Sequence, residues 1–341
     1  MTIGITLFLY LTLFKNYYIV QIMTEILEKL ASKIGRSLGI IQKKDIQITK
    51  KILDLQENSQ IPVGDDCAAI PDGDGYLLLA AEGMWHVLID VDPWFAGWCA
   101  VMVNISDIAA MGGKAIAVVD TIWTQEAIKA PPLLAGMKAA SLAYNVPIVG
   151  GHTNLQSAYN ALSVAILGKA KKLISSFAAQ PQDLLVVAID LRGVMHSKFP
   201  FWNAATDADP LSLQQSLLIL PYLAENNLCH GGKDISMGGI IGTLLMLIEA
   251  SRCGAILEID RLFIPANVSL ATWLMCFPSY GFLLSVNPAK VDRVIAQFEK
   301  HNIICAAVGE IVTGSQLTLK YQEATYLFWD WQQDKLMGFS Q

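Results

Sequence analysis

Four polar segments that could do phosphate and metal chemistry interrupt an otherwise apolar chain. They combine carboxylates, glycines, one asparagine, one histidine, one lysine and two serines. Carboxylate oxygens are the ligands that magnesium prefers, and it commonly shares them with substrate phosphates. Glycines let the backbone approach a phosphate closely. The segments are Gly64-Asp65-Asp66, Asn104 to Gly113 around Asp107, Gly150-Gly151-His152, and Lys233-Asp234-Ile235-Ser236-Met237-Gly238-Gly239.

The first segment places two adjacent carboxylates, Asp65 and Asp66, after Gly64 and before a short apolar strand. Neighbouring residues of a strand point to opposite faces, so at most one of the pair can serve a buried structural role. The pattern favours a magnesium site, and an ordinary turn stabilised by an aspartate side chain remains the alternative.

Asp107 lies inside an otherwise apolar helix, between Ile105 and Ile108. A buried carboxylate is costly unless it is paired or bound to a metal, so this residue is the strongest ligand candidate by position. The alternative is an exposed acid on the polar face of the helix beside Asn104.

The last two segments are ambiguous when taken alone. Gly150-Gly151 ends an apolar strand and could admit a phosphate, but a glycine pair is also an ordinary turn, and His152 could be structural. Ser236 and Asp234 precede a long apolar helix, where either could cap the helix. Equally, that helix start could receive an anion, with Lys233 as the counter-charge.

Regular elements that must position these residues follow from the apolar periodicity. Helices are predicted over 94–111, 132–144, 212–225, 240–250 and 288–301, after two helices between 23 and 55. Strands are predicted over 67–70, 76–81, 115–122, 146–149, 161–168, 184–189, 255–259, 280–286 and 306–311. Strands and helices mix without strict alternation, which indicates α+β domains with helices on one face of each sheet.

Composition excludes some classes of function. The chain of 341 residues has a formal net charge of −6 and no long basic run, which argues against a nucleic-acid footprint. It is 53% hydrophobic and 16% charged, which favours a buried subunit interface. None of the six cysteines forms a C-x-x-C pair, so reduced core cysteines of a cytoplasmic protein are expected rather than disulfides or a zinc site.

Residues 1–22 are apolar, with Lys15 as the one charge. The run before Lys15 is shorter than the ~20 residues of a membrane span and lacks the features of a signal peptide. Met23 opens a normal amphipathic segment, so we interpret 1–22 as an extension ahead of the true start or, less favoured, as a membrane anchor.

Taken in order, the four segments resemble the superfamily of aminoimidazole ribonucleotide (AIR) synthetase, thiamine-monophosphate kinase, selenophosphate synthetase and the hydrogenase-maturation carbamoyl dehydratase. The matching strings are GDDCAAI, NISDIAAMGG, IVGGHTN and KDISMGG, and SDIAAMGG is the most specific. The resemblance spans about residues 23–315 and is greatest to the uncharacterised AIR synthase-related branch.

This resemblance implies a two-domain α+β fold. An ATP-binding domain with a mixed sheet at 23–172 would pair with a second copy, an α/β sandwich domain would span 181–320, and 321–341 would be a tail. ATP and magnesium are the implied cofactors. The implied metal ligands are Asp65, Asp66, Glu82, Asp107 and Asp234. The implied catalytic residues are Asp107, Lys233 and Asp234. The implied nucleotide-binding residues are Gly64, Gly150, Gly151, His152, Ser236 and Gly238.

Several positions depart from the named enzymes. Ala80-Ala81-Glu82 stands where the kinases and selenophosphate synthetases have Thr-Thr-Asp or a close variant, and Met237 removes a carboxylate from the fourth motif. His152 replaces the kinase aspartate, as in selenophosphate synthetase, and Ser176 stands where an arginine is usual. No reactive cysteine and lysine precede Gly64, which argues against selenide chemistry.

The expected function is a magnesium- and ATP-dependent enzyme that phosphorylates or activates a small molecule. The alternatives are a thiamine-monophosphate-kinase-like transfer and a non-catalytic nucleotide-binding protein that docks a partner. The irregular segment 192–212 is the expected lining of the acceptor pocket. Its candidate residues are Arg192, His196, Lys198, Trp202, Asp207 and Asp209.

Overall fold

The computed structural model describes residues 20–53 and 63–339 of the chain. Its helices are α1 (20–35), α2 (Leu38–Ile41), α3 (Ile46–Ile52), α4 (His86–Val91), α5 (Pro93–Ala110), α6 (Ala130–Tyr144), α7 (Pro210–Leu217), α8 (Ile219–Glu225), α9 (Gly239–Ala250), α10 (Leu270–Leu274) and α11 (Val291–Glu299). Short 3-10 turns lie at Gln42–Asp45, Ala127–Lys129, Ile259–Arg261 and Pro288–Lys290.

The strands form three sheets. They are β1 (Ala68–Asp72), β2 (Gly75–Gly83), β3 (Lys114–Trp123), β4 (Ile148–Asn154), β5 (Ala161–Ala170), β6 (Leu184–Ile189), β7 (Val194–Met195), β8 (Phe201–Asn203), β9 (Gly231–Asp234), β10 (Gly254–Glu258), β11 (Phe277–Pro278), β12 (Gly281–Val286), β13 (Ile304–Val312), β14 (Gln316–Tyr321) and β15 (Ala324–Asp330). The sheet orders are β1-β2-β5-β3-β4, β15-β14-β10-β13-β6-β12-β9 and β11-β8-β7.

The five-stranded sheet of the N-terminal half is mixed and is covered on one face by α5 and α6. It is antiparallel except for the parallel pair β3 and β4. Leu78, Val118 and Ile166 point from the covered face into the core beneath α5. Among the residues described, no helix of this domain covers the second face, in agreement with the predicted α+β arrangement.

Helix α5 is buried along almost its whole length. Asp92 caps its start by accepting a hydrogen bond from the amide of Phe95 at 3.1 Å, and Pro93 occupies the first turn, where no amide hydrogen is needed. Gly97 lies against the backbone of α6, where an added Cβ atom would overlap the carbonyl of Leu133. Close packing against α6 therefore leaves no polar face toward solvent, and Asp107 near the end of α5 is buried with it.

The seven-stranded sheet of the C-terminal half has helices on both faces. Helix α9 and the N-terminal helix α1 pack on one face, and α8 and α11 pack on the other. The predicted placement of helices on one face of each sheet is therefore wrong for this sheet. The reason is that β6 and β12 are apolar and buried on both sides, which requires cover on both.

Domain assignments need two adjustments. Helix α1 was expected within the N-terminal domain, but Leu27, Leu30 and Ile34 pack with α9 in the C-terminal core. The expected tail at 321–341 includes β15, an edge strand of the seven-stranded sheet. The residues after β15 then pack back on α9, so this segment is part of the domain up to residue 339.

Within the described residues, no helix is both long enough and apolar enough to span a membrane. The expected extension 1–22 lies mostly outside those residues. All six cysteines are buried and unpaired, as the spacing predicted.

Candidate functional site

Three carboxylates from separate elements meet where the two halves of the chain touch. Asp66 lies in the loop before β1, Asp107 in the last turn of α5, and Asp234 at the end of β9. One oxygen from each lies within 4.8 Å of the other two. The packing of α5 against the end of β9 therefore brings together residues that are far apart in sequence.

Several properties of this group suit a divalent cation. Asp107 is 7% exposed, which excludes the alternative of a solvent-facing acid. Oδ2 of Asp66 and Oδ2 of Asp107 are buried without a hydrogen-bond partner. Buried carboxylate oxygens are costly unless a donor or cation satisfies them, and a group of three carboxylates suits a hard divalent cation.

Two lysines supply the positive charge near these carboxylates. Lys233 forms an ion pair with Asp66, and both side chains are 4% exposed. The ammonium of Lys43, from the turn between α2 and α3, donates to the hydroxyl of Ser236 at 3.3 Å. Sequence reasoning missed Lys43, because a lysine in a polar helical segment gives no signal of burial.

Burial and neighbouring charges shift the pKa values of these groups. Burial raises the pKa of Asp66, Asp107 and Asp234, and the neighbouring acids raise those of Asp66 and Asp107 further. Burial and then the charge of Lys233 lower the pKa of Lys43 to about 8. Burial alone would lower the pKa of Lys233 too, but Asp66 and Asp234 raise it above its ordinary value. A bound cation would relieve the repulsion among the acids.

Asp65 has a different set of partners from Asp66. Its carboxylate accepts hydrogen bonds from the hydroxyls of Ser175 and Ser176, each at 2.5 Å, and from the amide of Ser176 at 3.1 Å. These bonds tie the loop before β1 to the linker between the domains. Adjacent carboxylates thus face different surroundings, and Asp65 lies outside the group of three, although it was predicted as a ligand.

The segment before α9 forms one side of the site. Gly238 begins the helix with φ of +96°, a conformation that disfavours other residues. A Cβ atom on Gly39 would approach the amide nitrogen of Gly238 to 2.5 Å, so α2 lies directly against this turn. No side chain caps α9, so the alternative of Ser236 as a helix cap is wrong.

A cavity of about 550 Å³ opens beside the carboxylates. Gly64, Glu82 and Ser236 line it together with Asp66, Asp107, Lys233 and Asp234, whereas Gly238 is not one of its lining residues. Glu82 is at the end of β2, and burial followed by the charge of Asp234 raises its pKa. It lies beside the three carboxylates without joining their group.

Gly150, Gly151 and His152 are not part of this cavity. Strand β4 continues through both glycines to Asn154, so the predicted strand end at Val149 is wrong. The alternative of an ordinary turn at the two glycines is wrong because β4 pairs with β3 over this stretch. His152 pairs with Thr121 and is exposed on the uncovered face of the sheet, away from the three carboxylates.

The segment 192–212 divides between two places. Trp202 lines the 550 Å³ cavity, whereas Arg192, Asp207 and Asp209 line a separate cavity of about 280 Å³. His196 is stacked between Phe95 and Phe199, and Lys198 is exposed. The prediction of one acceptor pocket from all six residues is therefore wrong, because β7 and β8 fold the segment into its own small sheet.

Comparison with known proteins gives consistent matches along the chain. The family described as "AIR synthase related protein, N-terminal domain" matches residues 64–170, and its C-terminal counterpart matches residues 185–322. An uncharacterised protein of Synechocystis sp. is 52% identical, covering 92% of this chain and 99% of its own. The thiamine-monophosphate kinase of Haemophilus influenzae is 25% identical, covering 75% of this chain and 84% of its own.

Solved structures share the fold. The PurL protein of T. maritima, complexed with ATP, superposes with a TM-score of 0.69 at 19% identity and covers 89% of this chain. The chain spans 53% of that longer protein. AaThiL, complexed with AMPPCP and TMP, superposes with a TM-score of 0.62 at 18% identity, covering 83% of this chain and 96% of its own. The chain belongs to the AIR synthase related protein family, with that family's N-terminal and C-terminal domains in order.

Proposed function

We propose that this protein binds ATP with magnesium at Asp66, Asp107 and Asp234 and transfers the γ-phosphate to a small molecule in the adjoining cavity. The observation that carries the proposal is the group of three carboxylates within 4.8 Å beside that cavity. The ATP complex of PurL and the AMPPCP complex of AaThiL add support, since both proteins share the fold.

The chain's own groups fit this chemistry. Magnesium, when bound, would neutralise charge on the transferred phosphate. Lys43 and Lys233 line the same cavity and would orient the phosphate oxygens. Transfer breaks the bond from the γ-phosphorus to the bridging oxygen of ADP and forms a bond to the acceptor hydroxyl oxygen. The hydroxyl proton passes to a cavity carboxylate, for which Glu82 is the candidate.

Magnesium and ATP together are expected to raise the melting temperature of the protein. A ligand present at one hundred times its dissociation constant stabilises the native state by about 2.7 kcal/mol. Thermal denaturation measures this shift in melting temperature. The protein is denatured with ATP and magnesium, with ATP and a chelator, and with magnesium alone. No shift at millimolar magnesium and ATP would exclude both catalysis and simple nucleotide binding. ADP release that depends on an added acceptor would then separate the enzyme from the non-catalytic alternative.

The uncovered face of the five-stranded sheet supports a second part of the proposal, a homodimer. Leu79, Val119 and Leu167 share this face in adjacent strands and are 48%, 42% and 38% exposed. Contiguous apolar surface of this kind is typical of an interface. We propose that a second copy of the chain covers it.

Light scattering tests the dimer. The wild type is expected at twice the 37.2 kDa chain mass, and Val119→Glu is expected to give the monomer because it buries charge at the contact. Leu142→Glu is the matched control, since Leu142 is 69% exposed on α6. A monomeric wild type, or an unchanged mass for Val119→Glu, would contradict the proposal.

A further inference from the structure

The cavity beside the carboxylates has a second, apolar half. Its wall includes Trp85, Leu88, Met102, Phe201, Met246 and Phe277. These residues come from both domains, and three of the rings form one cluster. The ring centroids of Trp85 and Phe201 are 6.5 Å apart, and those of Phe201 and Phe277 are 6.1 Å apart, with edge-to-face packing in both pairs. An aromatic and methionine-rich wall of this kind binds apolar groups.

Charge in the cavity opposes a second anion. Among the described residues, the lining contains five carboxylates and two ammonium groups, and no arginine or histidine. Lys233 already pairs with Asp66. Lys43 donates to Ser236 and is the remaining cation of the lining. An acceptor with its own phosphate would compete with the triphosphate of ATP for these groups.

Hydrogen bonding in the apolar half does not suit a purine base. The indole nitrogen of Trp202 donates to the carbonyl of Asp190 at 2.9 Å, and the hydroxyl of Ser279 accepts from the amide of Ala204 at 2.9 Å. The other side chains of this wall are apolar apart from the Trp85 indole and the Cys99 thiol. The side chains of this wall therefore offer few hydrogen-bond partners to the edge of an adenine ring.

From these observations we infer that the apolar half holds the acceptor, and that the acceptor is an uncharged alcohol with an aromatic or branched aliphatic group and no phosphate. This inference rests on the proposed phosphoryl transfer. The acceptor's apolar group lies against Trp85, Phe201 and Phe277, and its hydroxyl faces the carboxylates. The γ-phosphate of ATP bonds to the hydroxyl oxygen, the hydroxyl proton moves to a carboxylate, and ADP leaves.

A matched pair of probes tests the charge preference. 2-Naphthylmethanol and 2-naphthylmethyl phosphate share one ring system, and both are within the size that a 550 Å³ cavity accommodates. With magnesium and the non-hydrolysable analogue AMPPCP bound, calorimetry is expected to show the alcohol binding at least about tenfold more tightly. Equal or tighter binding of the phosphate ester would overturn the inference, as would turnover of thiamine monophosphate.

Two phenylalanine variants locate the binding site. Phe277→Ala is expected to weaken binding of the alcohol about tenfold or more, because it removes one ring of the wall. Phe263→Ala is the matched control, since Phe263 is 54% exposed and does not line the cavity. Equal effects of the two variants on alcohol binding would overturn the inference.

A separate measurement distinguishes failure of the inference about the acceptor from failure of the proposed function. Binding of magnesium and AMPPCP is measured on the wild type before either probe is added. If the nucleotide does not bind, the proposed function fails. If the nucleotide binds and the alcohol does not, the proposed function stands and the neutral acceptor is excluded.

Discussion

Replacing Asp107 by asparagine is expected to abolish magnesium-dependent ATP binding and to raise the melting temperature of the metal-free protein. Asparagine keeps the size of the side chain but removes the charge that would hold the cation. In the absence of metal, that same charge lies buried beside Asp66 and Asp234, and one of its oxygens has no partner. The binding loss and the stability gain therefore have one cause.

The stability gain depends on pH with a defined sign. Burial and neighbouring acids raise the pKa of Asp107 in the folded protein above its ordinary value. The folded wild type therefore binds the proton more tightly than the unfolded chain, so its stability falls as pH rises from the ordinary pKa of an aspartate to the raised pKa. Asparagine removes this loss, so the gain is expected to be larger at neutral pH than at a pH near the ordinary pKa of an aspartate. One pKa unit corresponds to about 1.4 kcal/mol.

Thermal denaturation with and without magnesium and ATP measures both effects. In a phosphorylation assay, the rate of Asp107→Asn is expected to be about 100-fold or more below that of the wild type. Asp74→Asn is the control, because Asp74 is exposed in the turn between β1 and β2. A magnesium-dependent shift that persists in Asp107→Asn would show that Asp107 is not a ligand.

Replacing Glu249 by glutamine is expected to destabilise the protein by roughly 2–3 kcal/mol and to release the C-terminal segment. Glu249 is fully buried in α9. Its two oxygens accept hydrogen bonds from the amides of Leu336, Met337 and Gly338, at 2.6, 3.2 and 2.5 Å for the shortest of each. Glutamine offers one oxygen and places an NH₂ group against backbone donors.

The released segment would also disturb the site. The Gln47 side chain donates to the carbonyls of Lys335 and Leu336, and Lys44 forms a 2.7 Å ion pair with Asp334. These contacts hold the helical segment that places Lys43 in the cavity. Weaker nucleotide binding is therefore expected along with lower stability.

Denaturant unfolding and hydrogen exchange over residues 332–339 provide the two measurements. Glu310→Gln is the matched control, because Glu310 is exposed on β13, and its effect is expected within about 0.5 kcal/mol. Unchanged exchange in the C-terminal segment of Glu249→Gln would show that these hydrogen bonds do not hold it.

Much of the secondary structure follows from local pattern. The strand at 184–189 was predicted with its observed bounds, and the helices near 94–111 and 132–144 differ from α5 and α6 by one or two residues at their ends. Proline, glycine and apolar periodicity mark these elements, so their bounds can be predicted without knowledge of distant contacts. The helix predicted over 212–225 is instead two helices, α7 and α8, which meet at Leu218.

Errors in the prediction arise where pairing between distant residues decides the outcome. β4 runs through Gly150 and Gly151 because β3 pairs with it, which no local signal indicates. Helix α1 packs on the C-terminal core because its apolar face meets α9, more than 200 positions later in the chain. Both results come from long-range contacts that composition and periodicity do not encode.

The sequence by itself determined the family, the order of the two domains and the acidic character of the site, since these depend on residue types and short strings. Only the tertiary structure decided which acids meet. Asp66, Asp107 and Asp234 converge because α5 packs against the end of β9, whereas Asp65 turns to the linker serines. The apolar half of the cavity could not be predicted from the sequence either, because its residues have the spacing of ordinary core positions. Only the folded structure brings these residues from both domains together around one cavity.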